Sequence, residues 1–343
     1  MKYAAFCAFV VALTVPQVQA GESVVPARPK GVTQETEKAI KRGLEFLIRE
    51  QGRDGSWRDS GSYGRYPVAM SGLAGLAVVG SGSTPTRGKY SKNVRLVTRF
   101  LIKKQQPNGL ITAPNEESRS MYGHGFSTLF LAQIYGMEED IAVQERIKLV
   151  LRRAVVLIDR SQSSRGGWLY TPDARGDEGS VTVTQVQALR ACRNAGIYVP
   201  KKVIDNALKY IEKSQNPDGG ICYSVSHRNS RPALTAAACA VLYNAGVYDS
   251  PIAQKAWDYA WTHARPTQSR GHWYYTQLYM SQASWQRGDK WWKQYSNEIR
   301  NRLLAQQQGN GSWRGDGAGL VFGTAIALII LQLPYNNLPI MSR

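Results

Sequence analysis

The chain has 343 residues, 43% of them apolar and 10% aromatic, which is enough for a sizeable core and too much for a disordered chain. Its 43 Lys and Arg against 25 Asp and Glu leave a formal charge of +18; the cations are spread along the chain without a basic block, so a solvated outer surface accounts for them and no nucleic-acid partner is expected. Its four cysteines lack CxxC spacing, which argues against a zinc site or a disulfide framework.

Residues 1–20 carry Lys2, an apolar run from Ala4 to Val15, and Val18-Gln19-Ala20 before Gly21. That is the layout of a cleavable secretory signal, with cleavage expected after Ala20 and the product exported to the periplasm or medium. The run is too short to span a bilayer. Cys192, Cys222 and Cys239 then remain, an odd set; Cys192 and Cys239 sit in Ala-rich helical stretches and are expected to be small core residues, with a single disulfide and one free thiol as the alternative. Residues 21–33 hold two prolines and no periodicity, and read as an exposed leader.

From residue 34 the chain alternates two kinds of helix. Ile40, Leu44 and Leu47 fall at i, i+4 and i+7 with Lys41, Arg42, Glu45 and Arg49 on other faces, an outer, half-solvated helix. The next segment, PVAMSGLAGLAVV from Pro67, is nearly free of charge and rich in Ala and Gly, so it must be buried. The pair recurs: outer 93–105 with inner 124–135, 145–161 with 181–195, 202–214 with 232–245, a degenerate fifth copy keeping Gly271 and Trp273, and 292–308 with 320–333. Residues 334–343 form a tail whose Pro334 and Pro339 stop the last helix. Gly82–Lys89 has one residue too many for a phosphate loop and Tyr90 where Ser or Thr is required, so it reads as a connection.

At the end of each outer helix an aromatic or aliphatic pair is followed by Gln51, Gln105, Gln162, Gln215 or Gln308, a repeat of about 55 residues whose unit cannot bury its apolar face alone. Arg42-Gly43, Phe46-Leu47, Gln51, Gly55 and Trp57 make the fullest copy; Gln162, Gly166, Trp168 and Gln308, Gly311, Trp313 are close to it, while the Gln105 and Gln215 copies lose the Trp. This pattern resembles the QW repeat of squalene and hopene cyclases over residues 34–333. The resemblance implies an all-α fold, an α/α toroid of about six helix pairs in two concentric layers, in an exported bacterial branch of the scaffold often labelled prenyltransferase or squalene oxidase repeat. The Asp-x-Asp-Asp acid of triterpene cyclases, the Asp-rich diphosphate motif, the prenyltransferase zinc set and the thioester motif have no counterpart here, so no cofactor or metal is expected.

In such a toroid the inner-helix starts face the cavity, and polar residues there are the candidates for a site. Asp177 and Glu178 directly precede an inner helix, as catalytic acids or as caps complementing its dipole. Tyr122 and His124, between glycines, open the second inner helix; His124 suits acid–base work near neutral pH or a hydrogen-bonding structural role. His227 and Arg231 precede the fourth inner helix and suit an anionic group. His272, Trp273, Tyr275 and Tyr279 form the densest aromatic cluster, able to face a carbocation, stack on a sugar or fill the core. The expected function is a cavity that binds a lipid, isoprenoid or glycan; an isoprenoid cyclase or polysaccharide-degrading enzyme on the same scaffold, and a partner-binding repeat protein, are the alternatives. Peripheral membrane contact is compatible with this reading, whereas the oligomeric state is not legible.

Overall fold

Burial divides the helices into two sets, and each set's composition gives the reason. The computed structural model describes residues 28–341, apart from 60, 62–64 and 115; the segment expected to be a signal lies outside them. Helices α1 (Gln34–Glu50), α3 (Ser91–Lys103), α5 (Ile141–Arg160), α7 (Lys201–Lys213), α9 (Pro251–His263) and α11 (Asp289–Gln306) each bury one apolar stripe. Helices α2 (Pro67–Gly80), α4 (Ser120–Tyr135), α6 (Gly179–Asn194), α8 (Pro232–Asn244), α10 (Trp273–Arg287) and α12 (Leu320–Gln332) are buried nearly all round. Each even helix packs on the next, and α12 packs back on α2, so six inner helices close a ring and the amphipathic ones surround it. The fold is an all-α, α/α toroid. A short antiparallel ribbon, β1 (Cys222–Ser224) with β2 (His227–Ser230), precedes α8.

The repeated glutamine is the clasp between successive outer helices. Gln51 Nε2 donates to Gly55 O in its own turn (3.0 Å) and to Asn93 O in α3 (3.1 Å). Gln105 reaches Val150 O, Gln162 Val203 O and Gln215 Ile252 O in the same way, at 2.8, 2.8 and 3.0 Å. The final copy is Gln307, whose amide reaches Ala39 O in α1 at 2.9 Å and closes the ring. This corrects the register expected at Gln308: three consecutive glutamines, 306–308, blur the position, but Gln307 stands as far before Trp313 as Gln51 before Trp57. Trp57, Trp168 and Trp313 are fully buried and donate from Nε1 to Leu47 O, Ile158 O and Leu303 O, pinning each turn to the helix it leaves.

The turn glycines are required by this docking. A Cβ on Gly55, Gly166, Gly219 or Gly311 would lie 2.3–2.5 Å from a backbone carbonyl of the next outer helix, and all four have positive φ. The fifth repeat lacks the clasp: Gly271 (φ 67°) faces nothing within 4 Å, and an Arg265–Glu298 ion pair (3.0 Å) ties the end of α9 to α11 instead.

Beyond α12, two 3₁₀ turns, Leu333–Tyr335 and Pro339–Met341, carry the chain beneath the ring to α6 on its far side. Leu338, Ile340 and Met341 are buried there, and Asn337 Nδ2 donates to Gly80 O (3.0 Å). Cys192, Cys222 and Cys239 are buried free thiols, and burial pushes Cys192 and Cys239 up to about 12.

The contrast between docked and undocked glycines is testable. Gly219→Ala, which meets Lys255 O at 2.4 Å, should cost about 3 kcal/mol in urea unfolding. Gly271→Ala, strained only by its backbone angle, should cost about 1 kcal/mol.

Candidate functional site at the inner-helix starts

Glu178 is the N-cap of α6. Its carboxylate accepts from Ser180 N (2.9 Å) and Val181 N (2.5 Å), spending its charge on the positive end of the helix. Tyr122, from the first turn of α4, brings its hydroxyl to Ser180 Oγ (2.5 Å) and Glu178 Oε1 (3.5 Å). Tyr170, in the turn before α6, lies 6.0 Å from the Tyr122 ring, and its hydroxyl meets that of Tyr223 on β1. The Arg119 guanidinium covers Tyr170 at 5.1 Å. From α10, Tyr275 and Tyr279 pack edge to face at 4.8 Å, with Tyr275 near enough to Glu178 for the carboxylate charge to act on its phenol.

Five tyrosines, from α4, the turn before α6, β1 and α10, therefore gather around one carboxyl. Burial pushes the Glu178 carboxyl above the ordinary range despite its N–H donors, and pushes Tyr122 and Tyr275 well up, with the Glu178 charge adding to both. Gln185 Oε1 is buried without a protein partner, and the buried hydroxyls of Tyr275 and Tyr279 make no well-aligned hydrogen bond although Tyr279 lies beside both Thr184 and Tyr275. Deeper in the ring, Gln187 Nε2 donates to Gln282 Oε1 (2.8 Å), joining α6 to α10 past the intervening α8. The inner face is thus polar, with unspent hydrogen-bonding capacity.

Glu178, Tyr122, Tyr275 and Tyr279 converge; the other expected residues lie elsewhere. Asp177 precedes Glu178 in extended backbone (φ −150°, ψ 157° at Glu178), where neighbouring side chains point to opposite sides. Its carboxylate turns back to Arg165 Nε (2.7 Å) and Ser163 Oγ (3.3 Å). His124, two helical positions after Tyr122, faces away from it, fully buried, and accepts from Ile111 N at Nδ1 (3.1 Å). Ser71, Thr182, Thr235 and Thr324 do the same for Trp57 N, Trp168 N, Ile221 N and Trp313 N, so His124 occupies the tether position of its repeat. His227 is exposed, bonded to Ser224 Oγ (2.9 Å) and edge-on to Tyr223, and Arg231 is exposed. His272 is exposed with φ 43°. Trp273 lines a recess of about 420 Å³ with Tyr274, Arg302, Arg314 and Asp316, at the join of the fifth and sixth repeats.

Tyr170, Tyr223, Ser180 and Arg119 complete the cluster and were not among the expected residues. A signal for two of them exists in the repeat: Tyr170 and Tyr223 each stand two residues after the Trp168 or Ile221 position. The other carboxylates near inner-helix starts are helix caps that reach across repeats. Glu116 accepts from Val68 N and Ala69 N of α2, Asp316 from Tyr274 N and Tyr275 N of α10, and Asp59 from Phe322 N of α12.

No protein-family model matches this chain, nor does any curated protein. Among solved structures it is similar to D-mannose isomerase, at 12% identity and TM-score 0.65, over 90% of this chain and 98% of that one. It is also similar to an inactive variant of the α-1,6-mannanase GH76A of Salegentibacter sp. in complex with α-1,6-mannotetrose (8%, 0.62, 88% and 98%), and to a protein from Actinoplanes (16%, 0.61, 89% and 99%). At these identities the likeness is one of fold.

Burial lowers the His124 pKa to about 4, below its ordinary value, so on acidification the unfolded chain takes the proton first. The His124 contribution to stability is fully present above pH about 6.5 and falls by about 3 kcal/mol towards pH 4, a slope opposed over the same range by Glu116, whose carboxyl pKa is raised by burial to about 7. His124→Thr, which restores the hydroxyl tether of the other repeats, should remove that slope from urea unfolding curves measured between pH 4 and pH 7.

Proposed function

We propose that this chain is a ligand-binding toroid whose mouth, at the starts of α4, α6 and α10, takes a neutral glycan. The observation that carries this reading is the convergence of Tyr122, Tyr170, Tyr223, Tyr275 and Tyr279 on Glu178. Aromatic faces beside hydroxyl groups and a hydrogen-bond-accepting carboxyl suit a polyol, which presents C–H patches and hydroxyls together. An isoprenoid chain offers no hydrogen bond to the hydroxyls and carboxyl gathered at Tyr122, Ser180, Glu178, Tyr170 and Tyr223, so a glycan is favoured over a terpenoid. The sugar-processing enzymes among the similar structures lend support, including one crystallised with a mannotetrose.

Binding without hydrolysis is favoured because glycosidase chemistry uses two carboxyls roughly 5–9.5 Å apart. Asp177 is committed to Arg165, and Glu116, Asp59 and Asp316 are committed to helix starts. Glu178 itself caps α6. The chain is read as exported, with Gly21 as the first residue of the product; mass spectrometry of the secreted or periplasmic protein checks that, and retention of Met1–Ala20 rejects it.

Titration calorimetry with a panel of neutral oligosaccharides, the mannose-containing ones first, tests the site. Tyr170→Ala and Tyr223→Ala should each weaken binding about tenfold through loss of an aromatic contact, with circular dichroism unchanged. Binding of a prenyl alcohol but of no saccharide overturns the reading, and shortened saccharide products in the mass spectrum convert it to an enzyme.

A further inference from the structure

The outer helices α3 and α5 place their cations on one shared face. In α3, SKNVRLVTRFLIK, there is no acidic residue, and Lys92, Arg95, Arg99 and Lys103 are all exposed. They lie opposite the buried Val94, Val97 and Leu101, so at 3.6 residues per turn they form a single outward stripe. In α5, Arg146, Arg153 and Arg160 recur every seventh residue and are exposed. They lie on the side towards α3, because the Gly109 turn that follows α3 docks on the Arg153 carbonyl. Lys92, Arg99, Lys103, Arg146, Arg153 and Arg160 form no ion pair among the described residues. The acids on α5's outer side are Glu145, paired with Lys148 at 2.9 Å, and Asp159.

The same face exposes aliphatic side chains. Leu149 and Val156 are 50% and 47% exposed at the crest of α5, opposite its buried Ile147, Leu151, Ala154 and Ile158, and Ile141 is 77% exposed at its start. Among the described residues four large apolar side chains are strongly exposed, Ile141, Leu149, Val156 and Tyr198, and three of them are here.

We infer that the α3–α5 face is a docking surface for an anionic lipid bilayer. Cations flanking a crest of aliphatic side chains match a surface with negative head groups and an apolar layer just beneath them. A nucleic acid or acidic polysaccharide answers the cations but offers nothing to Leu149 and Val156, and the crest carries no aromatic ring on which a base could stack. The face is made by outer helices, away from the glycan mouth, and does not depend on that reading.

Vesicle co-sedimentation of the full chain tests this, comparing phosphatidylcholine with phosphatidylcholine–phosphatidylglycerol mixtures. Binding is expected only to the anionic vesicles, at about 50 mM salt, with release at about 500 mM. Arg99→Glu combined with Arg146→Glu and Arg153→Glu should reduce binding at least tenfold. Leu149→Ser with Val156→Ser should reduce it severalfold while leaving retention on immobilised heparin unchanged. Lys290→Glu with Lys293→Glu, on α11 across the ring, should change nothing. All these positions are on the surface, and an unchanged melting temperature verifies folding. If the charge-reversed variant does not fold, the salt titration and the serine variant still decide. Failure of the parent to bind anionic vesicles overturns the inference. So does full vesicle binding by the serine variant, which makes the face a general polyanion site.

Discussion

The two protons of a glutamine amide diverge, and in this chain one of them goes to the glutamine's own turn and the other to the next outer helix. Gln51, Gln105, Gln162, Gln215 and Gln307 all do this. Each such bond is worth about 1 kcal/mol net, but the geometry matters more than the sum, because the carbonyl it reaches sets how far one repeat is rotated from the last. Repeated around the chain, that rotation brings Gln307 to Ala39. A closed array has no terminal repeat with an apolar flank to protect, which is the difference between a toroid and an open solenoid.

Most polar groups near the inner helices serve the same closure. Ser71, His124, Thr182, Thr235 and Thr324 hold the motif turns onto the inner ring by their backbone N–H groups. Asp59, Glu116 and Asp316 cap inner helices from the loops of neighbouring repeats, answering donors that a helix start cannot satisfy internally. Around Glu178, by contrast, the polar groups come from several repeats at once, with Tyr122, Tyr170 and Tyr223 joined through their hydroxyls and Ser180.

The fifth repeat reaches the same architecture by different chemistry. Arg287, at the end of α10, donates to Tyr243 Oη (2.5 Å) and to Gln254 Oε1 (2.8 Å) and lies 4.7 Å from the Trp257 ring. Trp257 in turn stacks on Trp261, and Trp291 meets both edge-on. Cation–π and aromatic contacts thus hold α8, α9, α10 and α11 together where the glutamine clasp is missing. The join left open on the mouth side is the recess lined by Trp273 and Arg314.

From the sequence alone, period and amphipathicity give a two-layered array of stacked helix pairs, because a 3.6-residue apolar stripe distinguishes a helix buried on one side from one buried all round; that the array closes into a toroid is what the resemblance of its repeat to the QW motif implies. The stretch Arg42–Trp57 already contained the turn glycine, the amide and the indole that fasten one repeat to the next. Which side chains meet at the mouth was decided only by the tertiary structure. Asp177 and Glu178 are adjacent in sequence, yet extended backbone at the helix cap sends one to Arg165 and the other to Tyr122. Tyr122 and His124 are two residues apart, yet a helix turns them about 200° from each other, so one lines the mouth and the other holds Ile111 in the outer layer. Tyr170 and Tyr223 are 53 residues apart and meet because successive repeats stack. The cations of α3 and α5 look evenly spread in sequence for the same reason in reverse: helical spacing gathers onto one face what a linear reading disperses.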